Sequence, residues 1–444
     1  MSRRTGRPRS MLLLGVIGLV VALVAGACAP TAPAPTPTPA PKITAPTATP
    51  PPAKAPAAQA TPTAAAQPTA APKPTGKAIR FGHLTALSGI GTPYGRSDSI
   101  AMDLAVKETN ESGGINGSPL EIVRSDSPWD PKVAVARVRE IAERDRVVGV
   151  WGPFASTEFE VTAPLANELK LPSFGNPVVP GIAAANRPWT FQMSMESGVW
   201  VPAGVDAFKQ KYPNVKKMVV TGDTKNRATQ FDVTDMFPKT LKEKGFDVIG
   251  IVDFETTVTD FAAIATKIKD MNPDGVVVSA LYAQAIGLAK EFKRLDYHPP
   301  MIISALPASG GYLLVGAPEF VEGAIIPFWA DLSGESPAFK KFNDSWQAAV
   351  KADPQIPDAQ KPVIVGTEGM VYSGMLAIIS TMRKAGITGD TPLEEARLKL
   401  RDGFQNIGEF PSIFGPVKLL PSGQTVWKAT VFTVEKGQIK MLVR

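Results

Sequence analysis

Residues 147–160 read VVGVWGPFASTEFE, a short apolar run that stops at Gly152-Pro153 and gives way to hydroxyls and then acids. Val147, Val148, Val150 and Trp151 suit a strand buried on both faces, and Gly152-Pro153 ends it. Ser156 or Thr157 caps the helix that follows, and Thr157-x-x-Glu160 has the spacing of a capping box. A turn of this kind lies at the carboxyl end of a sheet, where unpaired helix amides and nearby hydroxyls hold a small anionic group. A helix cap with no ligand explains the same Ser and Thr, so this stretch alone leaves both readings open.

The same alternation extends outward on both sides. IRFGHLT (79–85) reads as a first strand, and SGIGTPYGRSDS (88–99) precedes Ile100, Ala101, Leu104 and Ala105 at helical spacing. Gly89-x-Gly91 followed by Gly95 is one residue too long for the dinucleotide fingerprint, and Asp126 comes too late to serve as its ribose-binding acid. A second strand follows at 120–123. Asp130 before Pro131 then predicts a capped helix to about Arg144, with Ala134, Val138, Ile141 and Ala142 on its apolar face. After the opening strand come a helix through Leu165 and Leu169 and a short strand, 171–174, ending at Gly175-Asn176-Pro177. Strands alternating with helices at this interval predict a parallel, doubly wound sheet.

The series then restarts. Strands are expected at 218–221, 248–253, 275–279 and 301–304, with helices centred on Met236, Ile264 and Leu288. Two such series mean two similar α/β lobes with a crevice between them as the ligand site. Beyond Ile325 and Ile326 the pattern turns helical at 337–351, 368–384 and 393–401, and ends in strands at 413–419, 425–434 and 439–443.

The front of the chain is of another kind. Arg3, Arg4, Arg7 and Arg9, an apolar run over 11–27 and then Ala25-Gly26-Ala27-Cys28 read as an export leader, residues 1–28. Cys28 is the only cysteine of the 444 residues, which excludes an intrachain disulfide. A lone cysteine after small residues resembles a bacterial lipobox, which implies lipidation of Cys28; an uncleaved membrane anchor is the alternative, and either leaves the rest of the chain facing outward. Residues 29–76 are Ala, Pro and Thr with hardly a larger apolar side chain and cannot form a core. They read as a semi-rigid tether rising roughly 3.1 Å per residue. The formal charge of +6 comes from these segments: removing their seven Lys and Arg from 47 leaves 40 against 41 acids. The folded part therefore carries no basic excess to suggest nucleic acid as a partner.

SGIGTPYG, then NESGGINGSPLEIVRSDSPWDPKVAV, then VVGVWGPFAST and LPSFGNPVV, in this order, resemble the type I periplasmic-binding fold, and within it the Leu/Ile/Val-binding-protein family. These are solute receptors of branched-chain amino acid ABC importers. The resemblance implies two doubly wound α/β lobes, 77–195 with 330–415 and 196–329 with 416–444, joined by a three-segment hinge near 192–198, 327–332 and 416–423. It also implies closure around a small solute that is handed to ABC permease subunits.

By position, Ser156 matches the family serine that binds the ligand carboxylate, with Ala155 and Thr157 beside it, and Tyr94, following Ser88 in its loop, matches an aromatic lining the pocket. The family threonine falls on Val179, with Pro177 at the neighbouring carbonyl position, and the acid that pairs the ammonium falls near Leu306, where no acid stands. Second-lobe aromatics align with Arg227 and with Leu281 or Tyr282. An α-ammonium desolvated without acceptors costs several kcal/mol, so these departures predict a carboxylate-bearing or aromatic solute, or an amide, in place of a branched-chain amino acid. Arg227 facing the cleft pairs a ligand carboxylate; as a helix-start arginine it is merely solvated. Glu368 either supplies the missing acid or is an exposed first-turn acid of its helix.

Catalysis has little support: His83 lies in a predicted strand, His298 precedes Pro299-Pro300, and no metal spacing or Gly-x-Ser-x-Gly elbow occurs. No cofactor, metal or enzymatic activity is expected. An extracellular ligand-sensing module of a signalling system is the alternative to the transport receptor.

Overall fold

The computed structural model describes residues 73–332 and 336–443. The leader with Cys28, and the tether up to residue 72, lie outside the described residues.

The first lobe is built on β1 (Ile79–Thr85), β2 (Leu120–Asp126), β3 (Val150–Trp151), β4 (Ser173–Gly175) and β5 (Thr190–Gln192), all parallel in the order β2-β1-β3-β4-β5. The second repeats that order with β6 (Lys217–Asp223), β7 (Asp247–Phe254), β8 (Gly275–Ser279), β9 (Met301–Ile303) and β10 (Ile325–Phe328), as β7-β6-β8-β9-β10. Parallel strands need crossover helices that cover the sheet on both sides, so their residues are apolar without alternation. Gly275 to Ser279, GVVVS, is buried at every position. In β3, Val150 packs with Val138 and Ile141 of the helix Pro131–Glu143, while Trp151, pointing the other way, joins the main core. Asp130 caps that helix as expected, accepting from the amides of Lys132 (2.8 Å) and Val133 (3.3 Å).

Three strands were not expected from the sequence. β5 has three residues, too few for a pattern. β10 contains Pro327, which reads as a strand breaker; its register with β9 is confined to Ile325, and the proline faces Val431 of an antiparallel neighbour. β11 (Glu409–Ser412) pairs antiparallel with β12 (Gly415–Leu419), followed by β13 (Thr425–Val426). The helix Ser197–Lys211 was missed as well.

The chain leaves the first sheet after Gln192 to start the second with β6, and after Phe328 its helices pack on the first lobe again. The third passage falls later than the expected 416–423. Those residues belong to the β11-β12-β13 sheet, whose Gln424 bridges to Gln192, and the chain joins the second sheet only with β14 (Thr430–Glu435) and β15 (Gln438–Val443). A lobe boundary at 415/416 would cut the β11-β12 hairpin. Turn residues 421–423 mimic a crossover in the sequence, but they close a local turn, with the Gly423 amide on Leu420 O at 2.9 Å.

Candidate ligand-binding cleft

The segments that follow β1 and β3 meet those that follow β6, β8 and β9: Thr157 bonds Arg227, and Tyr94 meets Tyr282 and Tyr312. Gly152, directly after β3, has φ +102°, and a Cβ there would lie 1.9 Å from Leu84 O. Only glycine permits that turn, and it sets the direction of the helix Ser156–Glu168.

The helix start differs from the capping pattern in its sequence. Ala155 is the N-cap, without a side-chain cap bond. Ser156 Oγ instead accepts from the Val178 amide (3.1 Å), and Thr157 Oγ1 accepts from the Arg227 amide (3.0 Å) of the opposite lobe. Glu160 does not reach back to close a capping box; its Oε2 accepts from Arg227 Nε at 3.0 Å. The hydroxyls that suggested a cap hold a neighbouring loop and the facing lobe.

Tyr94, in the first turn of the helix Thr92–Glu111, is the hub of an aromatic junction. Its ring lies 5.9 Å from Trp129 and 5.7 Å from Phe154, at 22° and 26°, and those two rings are 5.9 Å apart and within 6° of parallel. From the second lobe, Tyr282 and Tyr312 approach Tyr94 edgewise at 5.8 and 6.1 Å. The Tyr282 amide donates to the Tyr94 hydroxyl at 3.4 Å. Gly91 makes room for this arrangement, since a Cβ there would meet the Trp129 indole at 2.5 Å. Gly95 of the same glycine-rich stretch is needed for another close approach, its Cβ position lying 2.1 Å from Ala86 O. Trp129 itself sits at φ +65°, a conformation side chains rarely adopt. An open groove of about 850 Å³ continues from Tyr282 outward between Gly89, Ile90 and Pro93 on one side and Thr256 to Phe261 on the other.

The remaining expected site residues are placed as follows. Ser88 is exposed and bound to Asp126, through its amide (3.2 Å) and its Oγ (2.5 Å). The Pro177 carbonyl accepts from Gln192 Nε2 at 2.7 Å and from Ser194 Oγ, which fills both its lone pairs, and the Val179 carbonyl accepts from Gln192 Nε2 at 3.0 Å. The Val179 side chain packs against Phe159, Ala163 and Ile182. Leu306 is half-buried on the second-lobe core.

Glu368 is not the exposed first-turn acid that the helix dipole favours. It is 2% exposed, with Oε1 accepting from Ser97 Oγ (2.7 Å) and Oε2 from the Gly366 amide (2.6 Å). Burial raises its pKa, and burial with the neighbouring Glu368 charge raises that of Asp98, which accepts from Thr367 Oγ1 at 2.9 Å. Burial also pushes the Glu158 carboxyl up to about 7, against the hydrogen bond from Ser127 Oγ (2.7 Å). Burial, with the charge of Glu368, holds the Tyr94 and Tyr312 phenols well above their ordinary range.

Trp129, Phe154 and Tyr312 escaped sequence reasoning. The usable signal was position: Trp129 and Phe154 stand within a few residues of a strand's carboxyl end, where a doubly wound sheet places its ligand. His83 lies in β1, accepting from Arg124 Nε at 3.3 Å, and His298 pairs with Asp296; neither belongs to the cleft. Among the described residues no cluster of His, Cys, Asp and Glu has metal-binding geometry, and no helix is long and apolar enough to cross a membrane.

Residues 78–438 match the family model described as periplasmic binding protein, and the chain belongs to that family, in its type I, Leu/Ile/Val-binding branch. An amino acid binding protein of Pseudomonas aeruginosa is 24% identical over 263 residues, 56% of this chain and 65% of its own length. The chain spans 65% of the length of that relative and 60% of that of a Leu/Ile/Val-binding protein homolog of Brucella melitensis, 21% identical over 245 residues, 53% of this chain. A solute binding protein from R. palustris in complex with 4-hydroxybenzoate superposes with a TM-score of 0.71 at 19% identity, covering 83% of this chain and 96% of that one. A branched-chain amino acid transporter substrate binding protein from Streptococcus pneumoniae, in complex with isoleucine, gives 0.69 at 19%, covering 83% and 100%. These relatives and neighbours are binding proteins, not enzymes, and the family implies an exported, extracytoplasmic location.

Proposed function

We propose that this chain is the solute-binding component of an ABC importer, held outside the cytoplasmic membrane by lipidated Cys28 and the 29–76 tether. It closes on a small solute between its lobes and passes it unchanged to the permease. The observation that carries this reading is the interlobe junction. Tyr94 of one lobe packs against Tyr282 and Tyr312 of the other, at the strand ends where ligands of such sheets bind. In this reading Ala155, Ser156 and Thr157 line the first-lobe side and Arg227 and Tyr282 the second, a reading supported by the bond between Thr157 and the Arg227 amide. The carboxylate grip expected of Arg227 is weakened by its bond to Glu160, which an incoming acid would have to displace.

Mass spectrometry of small molecules released on denaturing the purified full chain tests the reading. A stoichiometric small molecule, chemically unaltered, supports it; release of a turnover product contradicts it. Lipidation is tested separately by Cys28→Ala, which abolishes metabolic labelling with a fatty acid and frees the protein from the membrane.

A further inference from the structure

The junction offers unequal accommodation to different chemical groups. For an α-ammonium, the Pro177 carbonyl is filled by Gln192 and Ser194, and the Val179 carbonyl has one of its two lone pairs engaged by Gln192. For a carboxylate, Arg227 is already paired with Glu160, and an incoming anion would have to displace that acid and leave it unpaired.

For a flat ring the accommodation is generous. Tyr94, Trp129 and Phe154 lie within 26° of one another, so they offer a planar ligand ring faces of like orientation. Two buried polar atoms of the junction, Trp129 Nε1 and the Tyr312 hydroxyl, lack a protein partner. The indole can only donate. An unpaired buried donor costs free energy that an acceptor on the ligand restores.

Resting on the reading of the cleft as a solute site, we infer that its solute is a planar aromatic or heteroaromatic compound that carries a hydrogen-bond acceptor and no acidic group. An aromatic amide is the simplest such molecule. With the lobes parted, the ring enters between Tyr94 and the Tyr282–Tyr312 pair, which touch edgewise at 5.8 and 6.1 Å in this structure, its carbonyl accepting from Trp129 Nε1 or Tyr312, and any polar extension runs into the adjoining groove.

The test is calorimetry on the detergent-solubilised full chain with benzamide, benzoate, leucine and tetramethylammonium. Benzamide is expected to bind at least tenfold more tightly than each of the others at pH 7. Trp129→Phe, which keeps a ring and removes the donor, is expected to weaken benzamide several-fold, and Tyr312→Phe likewise, with unchanged near-UV circular dichroism; Trp129→Ala loses tenfold or more. Failure of benzamide to bind, or affinity undiminished in both phenylalanine variants, overturns the inference. Benzoate or leucine binding as tightly as benzamide also overturns it, while leaving the protein a solute receptor.

Discussion

Arg227 and Glu160 face each other from opposite lobes, Nε donating to Oε2 over 3.0 Å, while the Arg227 amide donates to Thr157 Oγ1 at the same distance. The pair spans the cleft, so it contributes to closure and not to the stability of either lobe. Both side chains remain partly exposed, at 31% and 43%, which limits an ion pair of this kind to about 1 kcal/mol or less.

Arg227→Ala therefore shifts the lobes toward the open form by up to about fivefold and weakens solute affinity by the same factor. The backbone bond to Thr157 survives the change. Calorimetry at low and high salt checks this: the wild-type advantage shrinks as salt screens the pair, and equal affinities at low salt would contradict it.

Gly152→Ala places a Cβ within 1.9 Å of Leu84 O at φ +102°. A side chain in so sparsely populated a conformation costs of order 1–3 kcal/mol before the clash is counted. Urea denaturation is expected to show a loss of at least about 2 kcal/mol, together with weaker solute binding, since the same turn aims the helix Ser156–Glu168.

Glu158 and Asp232 make stability fall as pH rises. Burial pushes each carboxyl up to about 7, Asp232 against the hydrogen bond from Ser279 Oγ at 3.1 Å. Each folded-state pKa lies above its unfolded value, so the native state holds protons that the unfolded chain has released. Stability is then full below about pH 4, falls between pH 4 and 7, and levels off above 7. The loss is of order 3 kcal/mol per group. Glu158→Gln flattens that slope in denaturation curves at stepped pH; an unchanged slope would contradict the assignment.

Phe174 sits where sheet and helix meet. Its ring stacks on Phe191 at 5.0 Å and meets Phe404 of the helix Leu393–Gln405 edge-on at 4.8 Å, fully buried. Phe174→Ala is expected to cost about 3–5 kcal/mol, measured by thermal or urea unfolding, with solute affinity unchanged at temperatures where the protein stays folded.

How much of this was legible in the sequence depended on how local the determinant was. β1 and β8 match their expected bounds because a run such as GVVVS carries its own signal. β10 did not, because Pro327 breaks the pattern, and it finds its place by packing against Gly204, where a Cβ would meet the proline ring at 2.7 Å. In the cleft, Ser156 and Thr157 were readable from their place after a strand end, and Tyr94 from the family resemblance. What their atoms bind was not: Thr157 meets an amide in another lobe, and the Gln192 side chain that donates to the carbonyls of Pro177 and Val179 arrives from β5. Glu368 reads as a first-turn acid because its sequence neighbours say so. Ser97, which buries it, stands in a different helix.

Small-angle scattering with and without saturating solute tests the central claim most directly, when paired with chemical analysis of the recovered compound. The account predicts a smaller radius of gyration on binding, as the Tyr94 and Tyr282 walls close, and a solute recovered intact. A scattering curve that stays unchanged while calorimetry registers binding, or a solute returned as a different molecule, would contradict it.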